Sequence, residues 1–302
     1  MDVNMQVSLC GVKLKNPVIA ASGTFAFGEQ HSWFIDVSRL GGVALKSLTP
    51  KKRAGNLPPR VAETASGIIN SIGLQNPGVD AFLEKTYQKT LKLDTVLIAN
   101  IAGETIEDYV YVAQRLNDTQ ISMYELNISC PNVKLGGAGL GTDPALAAKC
   151  VRGVKAVAKK PVIVKLTPAA EVVRVAKAVR DAGADAVSLI NTYPAMAVNV
   201  RTKRPVLGNV TGGLSGPCIM PAALKMVYDV SRAVSIPVVG MGGIMTGEDA
   251  AAFMLCGARC VMAGTAGLRD PAAHIRIIDE LEQYAKDMNI SDLSALVGAL
   301  EV

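Results

Sequence analysis

Histidine and tryptophan are nearly missing from this chain, with two of the first and one of the second in 302 residues. Both histidines, His31 and His274, fall in segments that read as helical, so the chemistry is expected to rest on other side chains. The six cysteines lack the paired spacing of a disulfide framework, which in a chain of this length points to a reducing, cytoplasmic setting. Cys256 and Cys260, four apart on what reads as one helix, have no second pair to complete a metal or cluster site, and they read as packing residues. No metal is expected. No apolar run reaches the length of a membrane span. The N-terminal stretch MDVNMQVSLCGVKLKNP does not read as a signal peptide. The net charge of +5 is spread over helices apart from Lys51-Lys52-Arg53 and Arg201-Thr-Lys-Arg204. Neither run has aromatic residues interleaved, which argues against nucleic-acid binding and for solvated loops. A modest positive balance suits anionic small ligands.

Half of the chain is hydrophobic, enough for one large core, and a single domain over 1–302 is expected. Residues 7–12 and 13–16 read as a short N-terminal hairpin. A unit then repeats: a short β-branched run, a loop, an amphipathic helix. The strands read at 17–21, 42–47, 95–101, 123–129, 161–166, 186–191, 237–240 and 260–263. The helices read near 30–40, 79–91, 106–117, 144–158, 170–182, 221–234, 247–256 and 271–288. Eight alternating units imply a parallel α/β sheet, and a closed (β/α)8 TIM barrel is its simplest form at this length. A doubly wound open sheet is the alternative. It would want G-x-G-x-x-G after the first strand, which Ala21-Ser-Gly-Thr-Phe-Ala-Phe-Gly28 does not provide. Two connections, 48–78 and 192–220, are long for simple loops, and both follow strand C-termini, the face where barrel enzymes build their sites.

The stretch from Glu125 to Pro144 passes from a strand through Cys130 into a loop with four glycines. It ends at Asp143-Pro144, an N-cap followed by proline in the first helical position. In this strand Glu125 and Asn127 point to the opposite side from Tyr124 and Leu126. A buried structural cysteine and a catalytic thiol are both open readings of Cys130. Ser22, Lys46, Asn100, Asn127, Lys165 and Asn191 fall at or near strand C-termini, where parity turns Lys165 and Asn100 toward the barrel interior. Amines and amides converging on one mouth are costly without a ligand to pair with, which favours a ligand site over a structural network. Gly240-Met-Gly242-Gly243 and Ala263-Gly264-Thr265 end the last two strands, at the usual phosphate position of this architecture. Gly213-Leu-Ser-Gly216 adds a further backbone contact.

Asn127-Ile-Ser-Cys-Pro-Asn132, Asn70-Ser-Ile-Gly-Leu-Gln-Asn76-Pro-Gly, Ile190-Asn-Thr192, Gly240-Met-Gly-Gly and Ala263-Gly-Thr265 together resemble the dihydroorotate dehydrogenase family over nearly the whole chain. The loop Lys134-x-Gly-Gly-x-x-x-Gly-Thr-Asp143 resembles the NAD-dependent class 1B catalytic subunits, with Leu140 where phenylalanine is expected. The membrane-bound class 2 enzymes carry serine where this chain has Cys130.

The resemblance implies oxidation of (S)-dihydroorotate to orotate, in de novo pyrimidine (UMP) biosynthesis, with FMN as hydride acceptor. It implies Cys130 as catalytic base. Lys46, Asn70, Ser71, Ile72, Gly73, Leu74, Asn127, Asn191 and Thr192 would hold the substrate. Ser22, Lys46, Ser47, Asn100, Asn127, Lys165 and Ile190 would surround the flavin, and Gly216, Gly242, Gly243, Gly264 and Thr265 would hold its phosphate. It also implies a homodimer of this chain within a heterotetramer, whose electron-transfer subunit carries FAD and a [2Fe–2S] cluster and reduces NAD. The rival readings are a dihydropyrimidine dehydrogenase subunit, a class 1A enzyme reducing fumarate, and a barrel that binds an anion without turnover.

Overall fold

Eight short parallel strands close into a barrel in the computed structural model, which describes residues 2–128, 134–135, 138–169 and 171–302. The strands are β1 (Val18–Ala20), β2 (Gly42–Ala44), β3 (Val96–Ile101), β4 (Met123–Asn127), β5 (Val162–Lys165), β6 (Ala186–Leu189), β7 (Val238–Met241) and β8 (Ala258–Ala263). Each pairs with the next in sequence, and β8 returns to β1, where Val261 stands opposite Val18. All eight expected strands are present, and the open-sheet alternative is excluded by the closure. Cys130 lies outside the described residues.

Strand parity sorts the side chains into two layers. Val43, Ala99, Leu126, Val164, Val187 and Val261 face outward into the main core beneath the helices. Ile19, Ala44, Ile98, Met123, Ile163, Ala186, Val239 and Met262 face inward and fill the lower barrel. Val7, Leu9 and Leu14 join that inner layer, so the N-terminal hairpin plugs the bottom of the barrel. The hairpin strands are Val7–Leu9 and Val12–Leu14, joined at Cys10 and Gly11, both with positive φ. A two-residue turn of that hand needs such backbone, which puts the reversal earlier than the expected boundary at 12–13.

The outer helices depart from expectation at three places. Residues 30–40 form two 3-10 turns, Glu29–Trp33 and Val37–Arg39, in place of one helix. The Asp36 carboxylate accepts from the Ser38 N–H and starts the second turn afresh. The helix expected over 79–91 breaks at Thr86 into Val79–Lys85 and Tyr87–Thr90. Cys256 caps the helix Gly247–Leu255, whereas Cys260 is an inward residue of β8, so the two do not share a helix. No helix among the described residues is long and apolar enough to cross a membrane.

The two long connections do not remain loops. They combine into one antiparallel sheet in the order Tyr193–Met196, Thr211–Ser215, Gly67–Asn70, Val61–Thr64. Ala62, Ile69 and Leu207 form its small core. Because both connections leave strand C-termini, this sheet stands at the C-terminal face of the barrel.

Candidate active site

Above the apolar filling, the inner face of the barrel turns polar. Asn100, Glu125 and Ser188 are fully buried there, and Lys165 is 5% exposed. Asn100 stands opposite Glu125 across the β3–β4 ladder, and Lys165 stands between Asn127 and Ser188. Burial at this level demands hydrogen-bond partners, and they are present. Ser188 donates from Oγ to one Glu125 carboxylate oxygen at 2.8 Å, and Asn100 donates from Nδ2 to the other at 2.5 Å. Ser47 in turn donates from Oγ to Asn100 Oδ1 at 2.5 Å. On β4, the Asn127 carbonyl accepts the Tyr109 hydroxyl at 2.9 Å, which ties this strand end to the helix Ile106–Leu116.

Two ammonium groups share the mouth. Lys165 Nζ lies 3.4 Å from Ser22 Oγ. Lys46 follows β2 on the inward parity of Ala44, and a Cβ built on Gly23 would lie 3.9 Å from its Nζ. Burial, and then the Lys165 charge, push the Lys46 ammonium below the ordinary lysine range. Neither lysine takes part in an ion pair among the described residues. Two like charges in a partly dry barrel, without carboxylate partners, make a receptor for an anion.

The glycine segments expected to hold a phosphate converge. Gly216, Gly242 and Gly243 have φ of 108°, 128° and 88°, backbone that favours glycine. A Cβ on Gly243 would lie 2.8 Å from the Gly216 carbonyl oxygen, and one on Gly216 would lie 3.4 Å from Thr265 Cγ2. Gly242 packs on Ile190, since its Cβ would meet Ile190 Cγ1 at 3.3 Å. Gly264 packs beside Ala21 and Thr24, within 3.5 Å of a built Cβ. Thr265 donates from Oγ1 to Ser215 Oγ at 2.8 Å.

Apart from Lys46 and Asn127 at the barrel mouth, the candidate substrate residues lie in the capping sheet and the segments that flank it. Asn70 ends the strand Gly67–Asn70 and reaches the Gly213 carbonyl from Nδ2 at 3.4 Å. Thr192 lies directly against Gly213, where any Cβ would overlap its hydroxyl. Asn191, next along, accepts the Thr192 N–H at 2.9 Å. Ser71 to Leu74 form the adjoining turn, with Gly73 and Leu74 at positive φ. Asn56 Nδ2 donates to Ser71 Oγ at 2.8 Å, and the Asn56 N–H donates to the Ile72 carbonyl at 3.0 Å. Ser71 and Ile72 are thus held from the flank of the sheet, and the Leu74 carbonyl accepts from Asn76 Nδ2 at 2.8 Å.

Three further residues belong to this arrangement and were not among the expected ones: Glu125, Ser188 and Ser215. The parity of β4 already pairs Glu125 with Asn127, and Ser188 has the inward parity of Ala186 on β6.

A family model described as dihydroorotate dehydrogenase matches residues 4–284. A protein of Alkaliphilus oremlandii, named dihydroorotate dehydrogenase B (NAD(+)), catalytic subunit, is 50% identical over 298 residues, covering 98% of this chain and 99% of its own. A protein of the same name from Petrotoga mobilis is 49% identical over 299 residues, covering 99% of this chain and 100% of its own. A crystal structure of DHODH from Eimeria tenella in complex with ferulenol has the same fold, with a TM-score of 0.82 at 24% identity, covering 98% of this chain and 88% of that one. With the match running from the plugging hairpin to the last long helix, and relatives aligned end to end, this chain belongs to the dihydroorotate dehydrogenase family.

Proposed function

We propose that this chain is the catalytic subunit of an NAD-dependent dihydroorotate dehydrogenase, oxidising (S)-dihydroorotate to orotate in pyrimidine biosynthesis with FMN as the hydride acceptor. In this reading it is one domain over 1–302, works in the cytoplasm, and pairs with itself inside a heterotetramer. A separate subunit carrying FAD and a [2Fe–2S] cluster takes the electrons on to NAD. The pair of ammonium groups, Lys165 buried and Lys46 half-buried, carries the reading, because both the carboxylate of the substrate and a reduced flavin are anionic. The relatives' shared name supports the substrate and the NAD-linked partner.

The residues present fit a phosphorylated flavin. The glycine segments pack closely enough to bring their backbones together beside the Thr265–Ser215 hydroxyl pair, Gly243 against the Gly216 carbonyl and Gly216 beside Thr265, and close-set glycine backbone with hydroxyls suits a phosphate. Ser22, Ser47, Asn100, Asn127, Lys165 and Ile190 would then surround the ring and its chain. FMN would supply the hydride acceptor. The chain's own part is the remainder. Asn70 to Leu74, Asn127, Asn191 and Thr192 would orient the ring of the substrate and, with Lys46, its carboxylate. The capping sheet would limit water above it. Cys130, three residues beyond Asn127, would take the proton from the acidic C–H.

Adding dihydroorotate without oxygen to the purified yellow protein should bleach its visible band. A band that bleaches with dihydrouracil alone would support the dihydropyrimidine rival, fumarate-dependent reoxidation would support class 1A, and a colourless protein would overturn the flavin assignment. Gly243→Val tests this packing: its Cβ would press on the Gly216 carbonyl and on Met220, so FMN affinity should fall at least about tenfold. Fluorescence titration of FMN into the apoprotein measures it.

A further inference from the structure

Glu125 is the one fully buried carboxylate among the described residues, and it takes part in no ion pair among them. The inward residues Ile98, Met123, Ile163 and Val239 that fill the barrel beneath it are all apolar. Replacing a buried charge by a hydrophobic residue is often neutral or stabilising, so packing alone does not account for it. Its hydrogen bonds do more than satisfy it. They join Asn100 of β3 and Ser188 of β6 across the interior, and through Asn100 they reach Ser47 beyond β2.

A carboxylate only accepts hydrogen bonds, and this gives the chain of bonds a direction. Asn100 must turn Nδ2 toward Glu125 and therefore Oδ1 toward Ser47. The Ser47 hydroxyl must then donate to Asn100. What the pair has left to offer is then fixed in kind: lone pairs on Ser47 Oγ and the second N–H of Asn100. We propose that Glu125 is a positioning residue of the flavin site, fixing through Asn100 which donor and which acceptor the Ser47–Asn100 pair presents to the cofactor. This inference rests on the flavin reading above. A glutamine in its place would accept from Asn100 in one orientation and donate to it in the other, so both directions of the chain would be allowed. The competent direction would then be about half populated, which weakens apparent affinity about twofold. An alanine removes the partner altogether and frees the amide.

The experiment is FMN titration into three apoproteins, with KM for dihydroorotate measured at saturating FMN. The wild type should bind FMN; if it does not, the flavin reading itself fails. Glu125→Ala should bind roughly tenfold more weakly. Glu125→Gln should recover to within about threefold of wild type, yet stay measurably weaker. In both variants KM should remain near the wild-type value, because Asn70 and Thr192 are held by the capping sheet. Wild-type FMN affinity in Glu125→Ala overturns the proposal. So do equal losses in the two variants, which would assign the effect to charge rather than direction, and a KM that rises in step with the FMN constant, which would mark a structural role. Where Glu125→Ala does not fold, the isosteric glutamine decides alone: no loss of FMN affinity overturns it.

Discussion

Cys130→Ser is expected to slow anaerobic bleaching of the flavin by dihydroorotate about 10²- to 10⁴-fold while leaving FMN bound. The two halves of that outcome have separate causes. Apart from Asn127, the residues proposed to hold the cofactor come from other strands and from the segments near Gly216, Gly243 and Thr265, so the substitution leaves them in place. The proton, however, needs a base of suitable strength, and a serine hydroxyl without an activating partner is far weaker than a thiolate. No histidine can take over: His274 is fully buried against the Ala263 carbonyl, and His31 stacks on Phe25 with ring centroids 3.7 Å apart. Stopped-flow absorbance reads the rate directly, and a pH profile reads the base. Unchanged bleaching kinetics would remove Cys130 from the catalytic role. A slowed rate that recovers steeply as pH rises would agree with it.

The barrel was legible because each strand is a short apolar run with a fixed parity, β-branched in β1, β3, β5 and β7. Val164 and Leu166 against Lys165, or Ala99 against Asn100, reveal inward and outward faces without any long-range information. That parity also separates Glu125 from Tyr124 and Leu126. It does not reveal that Glu125 meets Ser188, since the two come together only when the sheet closes and β6 comes within reach of β4. The capping sheet was illegible for a related reason. Its central pairing sets Gly213 opposite Asn70, 143 residues away, and the strand Thr211–Ser215 carries two glycines and little alternation. The glycines themselves were readable as sites of close approach. Their convergence needed the fold, because Gly216 arrives from the long connection whereas Gly243 and Thr265 follow β7 and β8. Residues 30–40 failed as a helix because Asp36 competes for the backbone, a local preference that outweighs apolar spacing in so short a segment.

Lys165→Met should stabilise the apoprotein while weakening FMN binding by about one to two orders of magnitude. Methionine keeps the apolar stem in the barrel, so little packing is lost. In the apoprotein Lys165 is 5% exposed, and its ammonium has the Ser22 hydroxyl as its neighbour and the Lys46 ammonium nearby. Removing it relieves both desolvation and like-charge repulsion, so the apo melting temperature should rise. The sign follows at Lys46 as well. Burial is the larger cause of its lowered pKa and the Lys165 charge the second, so the substitution should raise that pKa part of the way back toward the ordinary lysine value. With ligand bound the balance reverses. A reduced flavin is anionic, and Lys165 is proposed to lie against it, so the variant loses a charge-assisted contact in a region of low dielectric. Reduction should suffer more than binding of the oxidised cofactor, because the negative charge develops only on reduction. Calorimetry of the apo and FMN-loaded forms tests the pair of signs. An apo form that melts lower, together with wild-type FMN affinity, would mean that Lys165 serves the barrel rather than the ligand. A higher apo melting point joined to weaker binding would show the site holding two unpaired charges at a cost in stability that the bound anion offsets.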